Sequence, residues 1–128
     1  MKKLPMIILY VSDQEASKSF YEKVLGITPR LHVKGMTEFQ YGNHFVIGLM
    51  PENGIANILT PHTAHPATGN GIPRCELYLF VANANESLQQ AVMAGAKLIS
   101  SSMKRDWGDE VSYCADPDGH VLAFATQK

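Results

Sequence analysis

The chain contains 128 residues, of which 11 are Lys or Arg and 12 are Asp or Glu, so its formal net charge is −1. Because binding to nucleic-acid phosphates requires a clear excess of basic side chains, this balance argues against nucleic acid as the main partner. A hydrophobic fraction of 45% excludes wholesale disorder, and a chain of this length is expected to form one domain.

The cysteines and the N-terminal apolar run indicate the compartment. Cys75 and Cys114 are too few for a disulfide scaffold and form no Cys-x-x-Cys pair, which favours reduced thiols in the cytoplasm. The run from Leu4 to Val11 is too short to span a bilayer, and no small-x-small cleavage site follows it. We therefore interpret this run as a buried strand and expect a cytoplasmic protein without membrane contacts.

The first half of the chain predicts one helix and four strands. Ser12 stands three residues before Glu15, the spacing of a capping box, and predicts a helix from Asp13 to Leu25 that ends at Gly26. Gly42-Asn43 is a candidate two-residue hairpin turn. The buried stripe of the helix is expected at Ala16, Phe20, Val24 and Leu25. Strands are predicted at Leu4–Val11, Arg30–Val33, Met36–Tyr41 and His44–Met50.

The same order of elements recurs in the second half. Asn83 stands three residues before Glu86, a second capping signal, and Gly95 ends the helix that follows. Asp116-Pro117-Asp118-Gly119 is a strong turn. Strands are predicted at Cys75–Val81, Lys97–Ser100, Glu110–Ala115 and His120–Thr126. The chain therefore repeats a β-α-β-β-β module with an offset of about 70 residues.

The repeat divides a single domain into two modules. Residues 1–50 form the first module, residues 74–128 form the second, and residues 51–73 are interpreted as a linker or as a lid over a site. One such module leaves a sheet face uncovered, so the two are expected to combine their sheets. A ferredoxin-like dimer is an alternative that accounts for both helices but leaves the extra strands unexplained.

Two groups of motifs stand at the ends of the chain: Val11-Ser12-Asp13, Ser19-Phe20-Tyr21 and Val24-Leu25-Gly26 in the first, and Trp107-Gly108-Asp109 and Asp116-Pro117-Asp118-Gly119-His120 in the second. Together they resemble the motifs of the vicinal oxygen chelate superfamily, which includes glyoxalase I, bleomycin-resistance proteins and extradiol dioxygenases. The resemblance covers nearly the whole chain and implies an α+β fold. In that fold two βαβββ modules form a cupped mixed sheet with the helices outside, the site lies in the cup, and a homodimer is common.

The resemblance also implies where a metal would bind. The four ligand positions of the superfamily's metalloenzymes fall on Met6, Gly48, Glu76 and Ala123. Only Glu76 readily ligates a hard or borderline ion, whereas catalytic zinc sites use about three protein ligands. We therefore expect no cofactor, although a divalent metal at a shifted site stays open. The five histidines, His32, His44, His62, His65 and His120, are interpreted as exposed or structural.

Strand alternation predicts which side chains line the cup. With Met6 and Glu76 facing inwards, Ile8, Tyr10, Tyr78 and Phe80 do so as well. Val46, Gly48, Met50, Val121, Ala123 and Ala125 are expected beside them. The result is an apolar, aromatic cavity with one carboxylate, which suits a small organic ligand. For the aromatic rings, ligand contact and simple packing both stay open.

Three further side chains are candidates for the site. Glu76 is either a ligand-orienting group or general base, or an ion-pair partner of Arg74 or another basic residue at the sheet edge or a dimer interface. Trp107, the only tryptophan, is either an aromatic wall of the site or a plug at the end of the sheet. Arg105 either holds an anionic group of the ligand or is simply solvated.

Three functions are compatible with this pattern. The first is a metal-free protein that binds a small organic molecule. Its predicted ligand-binding residues are Ile8, Tyr10, Tyr78, Phe80, Arg105 and Trp107. The second is a glyoxalase- or dioxygenase-like enzyme, a lyase or oxidoreductase, that uses Glu76 as base or a metal at a shifted site. The third is a dimeric structural or regulatory domain in which the cup is only core. The shortage of metal ligands favours the first of these.

Overall fold

The computed structural model describes residues 3–127, and the chain divides between Asn70 and Gly71 into two compact units. Each unit contains one mixed four-stranded sheet, which confirms the predicted α+β class. The first unit contains β1 (Met6–Val11), α1 (Gln14–Leu25), β2 (Leu31–Val33), β3 (Met36–Tyr41), β4 (Phe45–Pro51), α2 (Glu52–Leu59) and a 3-10 turn (Pro66–Gly69). The second contains β5 (Glu76–Val81), α3 (Ala84–Met93), β6 (Lys97–Lys104), β7 (Glu110–Ala115) and β8 (Val121–Thr126).

In the first unit the sheet has the order β1-β4-β3-β2, with β1 parallel to β4 and the other pairs antiparallel. Helix α1 begins after Asp13, whose side chain accepts a hydrogen bond from the Ala16 amide at 3.0 Å. The expected cap at Ser12 was therefore wrong by one residue, because Asp13 has the extended backbone that a cap requires. The helix ends as predicted at Gly26, whose φ of 69° is left-handed.

Other details of the first unit also differ from the predictions. The buried face of α1 consists of Ser17, Phe20 and Tyr21, so the predicted stripe was rotated towards the neighbouring positions. Tyr41 pairs with Phe45, which makes the β3–β4 connection a three-residue loop rather than a two-residue turn. The segment 51–73, interpreted as a linker or lid, contains the unpredicted helix α2, which buries Ile55 and Ala56.

In the second unit the sheet has the matching order β5-β8-β7-β6, with β5 parallel to β8. Helix α3 begins as predicted at Asn83, whose side chain accepts a hydrogen bond from the Glu86 amide at 3.1 Å. Strand β6 is longer than predicted and extends to Lys104, because register shifts between Leu98 and Met103 keep it paired with β7.

The registers of the two sheets confirm the repeat in detail. Ile8 lies opposite Gly48 in the first sheet, and Tyr78 lies opposite Ala123 in the second. Each of these pairs therefore occupies the same place in its own sheet. No helix within residues 3–127 is long and apolar enough to cross a membrane.

Candidate functional site

The second unit presents one sheet face away from its helix. Ser112 donates a hydrogen bond to the Ala84 carbonyl of α3 at 2.9 Å. Ser112, and with it the row of residues paired beside it across the strands, therefore faces the helix. Tyr78, Ala123 and Tyr113 lie side by side in the next row and therefore face the other way. This arrangement agrees with the alternation that the sequence predicted for β5.

Small buried side chains form the floor of this face. Val111, Ala123 and Ala125 are completely buried, and Tyr78 and Tyr113 pack against them. Because alanine occupies little volume, the two larger rings can lie close to the sheet at these positions. The floor thus fixes the rings that stand on it.

Tyr78 contacts three other side chains on this face. Its hydroxyl donates a hydrogen bond to Asp109 Oδ2 at 2.5 Å and accepts one from Trp107 Nε1 at 2.8 Å. Its ring meets Phe80 edge to face, with 5.4 Å between the centroids. We call the set Tyr78, Phe80, Trp107 and Tyr113 the aromatic wall. Desolvation, and next the bond to the Asp109 carboxylate, raise the pKa of Tyr78 above its ordinary value, so the phenol stays neutral.

Trp107 is positioned by the loop between β6 and β7. Lys104 pairs with Glu110 at the end of the two strands, and the loop between them is closed by a hydrogen bond of 2.8 Å from the Arg105 amide to the Asp109 carbonyl. Gly108 has a φ of 100°, which few other residues adopt. The loop therefore holds Trp107 and Asp109 beside Tyr78, although Tyr78 lies on a distant strand.

Arg105 stabilises the hairpin that carries this loop. Its Nη2 donates hydrogen bonds to Ser100 Oγ at 2.9 Å, to the Ser101 carbonyl at 3.0 Å and to the Val111 carbonyl at 2.8 Å. The guanidinium also lies 5.0 Å from the centroid of the Tyr113 ring. These contacts join both strands of the hairpin and hold one ring of the aromatic wall.

The exposed part of the wall is large. The side chain of Trp107 is 58% exposed and that of Phe80 is 52% exposed, although contacts with Tyr78 fix both. Glu76 lies on the same face of β5 and is exposed, with no hydrogen bond or ion pair to any described residue. The carboxylate is thus not buried in the apolar strand, and it forms no pair with Arg74.

The remaining candidates, Ile8 and Tyr10, belong to the corresponding face of the first unit. Ile8 lies beside Gly48, and Gly48 in turn pairs with Glu38 of β3. Glu38 is buried and accepts a hydrogen bond of 2.9 Å from Arg30 Nε. This pair was not predicted from the sequence, although a carboxylate at alternate spacing in β3 and a basic residue before β2 were available signals.

Asp109 and Tyr113 are further residues of the second-unit site that the sequence analysis did not select. Asp109 belonged to a recognised motif, and Tyr113 lies two residues from Val111 on the face predicted for the cup. Alternation along β7 would have identified Tyr113. The contact between Asp109 and Tyr78 spans 31 residues of sequence and has no local signal.

Residues 4–126 match the family model of the glyoxalase-like domain. The chain belongs to this glyoxalase-like family. The predicted resemblance to the vicinal oxygen chelate superfamily is thereby confirmed. No protein with a curated description matches the chain.

Solved structures share the fold of this glyoxalase-like chain. A glyoxalase-related enzyme from Fulvimarina pelagi is 23% identical, with a TM-score of 0.81, and the match covers 98% of this chain and 88% of that one. A glyoxalase/bleomycin resistance protein/dioxygenase family enzyme from Burkholderia phytofirmans is 17% identical, with a TM-score of 0.79 and coverage of 97% and 98%. A protein from Agrobacterium tumefaciens is 26% identical, with a TM-score of 0.74 and coverage of 100% and 99%.

At two of the four positions that the resemblance assigns to metal ligands, Gly48 and Ala123, the side chain has no donor atom. In the first unit, a Cβ atom added to Gly48 would lie 3.1 Å from Ile8 Cγ1, so a larger side chain there would require Ile8 to shift. In the second unit, Ala123 is part of the buried floor and offers no donor atom. Among residues 3–127, no three His, Cys, Asp or Glu side chains are grouped as metal ligands.

Proposed function

We propose that this glyoxalase-like chain binds a small organic molecule at the aromatic wall and does so without a metal ion. The observation that carries the proposal is the exposure of Trp107 and Phe80, at 58% and 52%, while both are held in place by Tyr78. Aromatic surface that is ordered but left in water is typical of a binding site.

The wall is also organised for binding before a ligand arrives. Tyr78 and Phe80 stand on a strand, Tyr113 is held under Arg105, and Trp107 is fixed by its hydrogen bond. A ligand therefore meets rings that have already lost their conformational freedom, which lowers the entropic cost of association. An apolar surface with a few polar groups at its margin suits an organic molecule with an apolar body.

Binding is better supported than catalysis by Glu76. A general base must be oriented towards the proton that it removes, and a site needs neighbouring groups to hold it there. Glu76 is exposed, and its carboxylate forms no hydrogen bond or ion pair with any described residue. The geometry therefore favours a binding protein over an enzyme that depends on this carboxylate.

Phe80→Ala is expected to weaken the binding of phenylpropanol, a neutral probe with an aromatic body, by about tenfold, because the variant removes one ring of the wall. Binding is followed by the emission of Trp107, the only tryptophan of the chain. Leu98→Ala is the matched control, since Leu98 is equally exposed at 52% but pairs with Cys114 on the helix-facing side of the sheet. Equal affinities of the two variants would contradict the proposed site.

The proposal also makes a prediction about metals. Elemental analysis of the purified native protein is expected to find transition metals well below one per chain, and added zinc is expected to leave the unfolding temperature unchanged. A metal that binds only the folded state would raise that temperature. A stoichiometric metal that resists dialysis against a chelator would overturn the metal-free proposal.

A further inference from the structure

The aromatic wall carries a carboxylate that is only half satisfied. Asp109 is partly buried, and its Oδ2 accepts the hydrogen bond from Tyr78 at 2.5 Å. Its Oδ1 accepts no hydrogen bond from any residue in the described range. A carboxylate can accept about four hydrogen bonds, so this group retains capacity for a donor on the ligand.

The negative charge at this point has no cationic partner among residues 3–127. The ion pairs described join Lys18 to Glu22, Arg30 to Glu38, and two histidines to acidic groups, and none includes Asp109. Arg105, the nearest arginine in sequence, directs its Nε and Nη2 hydrogens to the strands of its own hairpin.

A second carboxylate lies on the same face. Glu76 precedes Tyr78 by two residues on β5, so its side chain points to the same side of the sheet, where it is exposed. The Tyr78 hydroxyl donates a hydrogen bond to the Asp109 carboxylate, and its raised pKa keeps the phenol neutral. The wall therefore combines π faces with acidic groups.

We infer that the molecule bound at the wall is an organic cation, a protonated amine on an apolar body. This inference rests on the proposed function and names its ligand class. The amine donates an N–H to Asp109 Oδ1, while its charge lies against the faces of Trp107 and Phe80, which attract cations through their quadrupoles. A carboxylic acid of the same shape is repelled by Asp109 and Glu76.

Three probes with one body separate charge from shape: phenylpropylamine, phenylpropanol and phenylpropanoate. Each is titrated into the full chain while the emission of Trp107 is recorded. We expect the amine to bind about tenfold more tightly than the alcohol, and the acid to bind more weakly than either. Raising the salt concentration is expected to reduce the advantage of the amine, because the attraction is electrostatic.

Asp109→Asn removes the charge but retains an oxygen that can accept the bond from Tyr78. Its affinity for the amine is expected to fall about tenfold, a larger loss than for the alcohol, because only the amine loses an ionic partner. Asp106→Asn is the matched control, because it removes the same charge from an exposed position in the same loop. This control is expected to change the amine affinity less than about twofold.

The outcomes separate the two proposals. If all three probes bind with equal affinity and perturb Trp107, the wall binds organic molecules but the cation inference is wrong. Equal effects of Asp109→Asn and Asp106→Asn would likewise overturn it. If none of the probes changes the emission of Trp107, the proposed function itself fails, and the inference about its ligand fails with it.

Discussion

Gly119→Ala is expected to lower the free energy of unfolding by roughly 2–5 kcal/mol. Gly119 has a φ of 91°, a conformation that L residues rarely adopt. An added Cβ would also lie 2.8 Å from the Cα of Gly71 and 3.2 Å from its carbonyl oxygen. Because the obstacle is backbone, no side-chain rotation relieves it.

The surrounding turn cannot easily move aside. Asp116 is buried, and its Oδ1 accepts hydrogen bonds from the amides of Asp118 at 2.9 Å and His120 at 2.8 Å. The Gly119 amide donates to the Asp116 carbonyl at 2.9 Å. A shift large enough to accommodate the methyl group would weaken several of these bonds, so the strain is retained in the folded state.

Gly95→Ala is the matched control for this prediction. Gly95 has a φ of 115° but open space around the position of an added Cβ, so the variant measures the backbone strain without the collision. A loss of about 1–2 kcal/mol is expected there. Urea unfolding of both variants compares the two costs. Equal losses would show that the contact with Gly71 adds nothing.

The parts of the fold that the sequence predicted correctly have strong local signals. Asn83 caps α3 through its own side chain, Gly26 ends α1, and alternation along β5 separates Leu77 and Leu79 from Tyr78. A helix N-cap, a glycine in the left-handed conformation at a helix C-terminus and the alternation of side chains along a strand each depend on neighbouring residues alone.

Helix α2 was missed because its local signals are weak. Pro51 precedes it without a side-chain cap, the helix has 8 residues, and Gly54 lies within its first turn. Short isolated helices are marginal in water, so packing of Ile55 and Ala56 against the sheet must stabilise this one. Periodicity over so few residues does not separate such a helix from a loop.

The candidate site was predicted only as far as alternation and the loop motif allow. They selected Tyr78, Phe80 and Trp107, which the structure brings into one wall. They did not show that Arg105 would bind its own hairpin or that Asp109 would meet Tyr78, since both depend on how β6 and β7 pair. Hydrogen bonds between distant segments are set by tertiary geometry and leave no pattern in the chain.

Cys114 is expected to make the folded state less stable in alkaline solution. Burial, and to a lesser extent the Asp116 carboxylate, raise the pKa of its thiol from 9.0 to about 11. The folded state therefore favours the protonated thiol, and this contribution is complete below the unfolded pKa. It is lost as the pH rises from 9 to about 11, because the unfolded chain ionises first.

The measurement compares the pH dependence of unfolding in two variants with that of the unchanged chain. A pKa difference of two units lowers the free energy of unfolding by on the order of 2 kcal/mol across this interval. Cys114→Ala is expected to remove that part of the alkaline loss of stability. Cys75→Ala is the control, because Cys75 is exposed. Tyr41 and Tyr78, whose pKa values are also raised, contribute to the decline in all three chains and cancel in the comparison. An identical alkaline slope in Cys114→Ala would show that the buried thiol does not titrate as proposed.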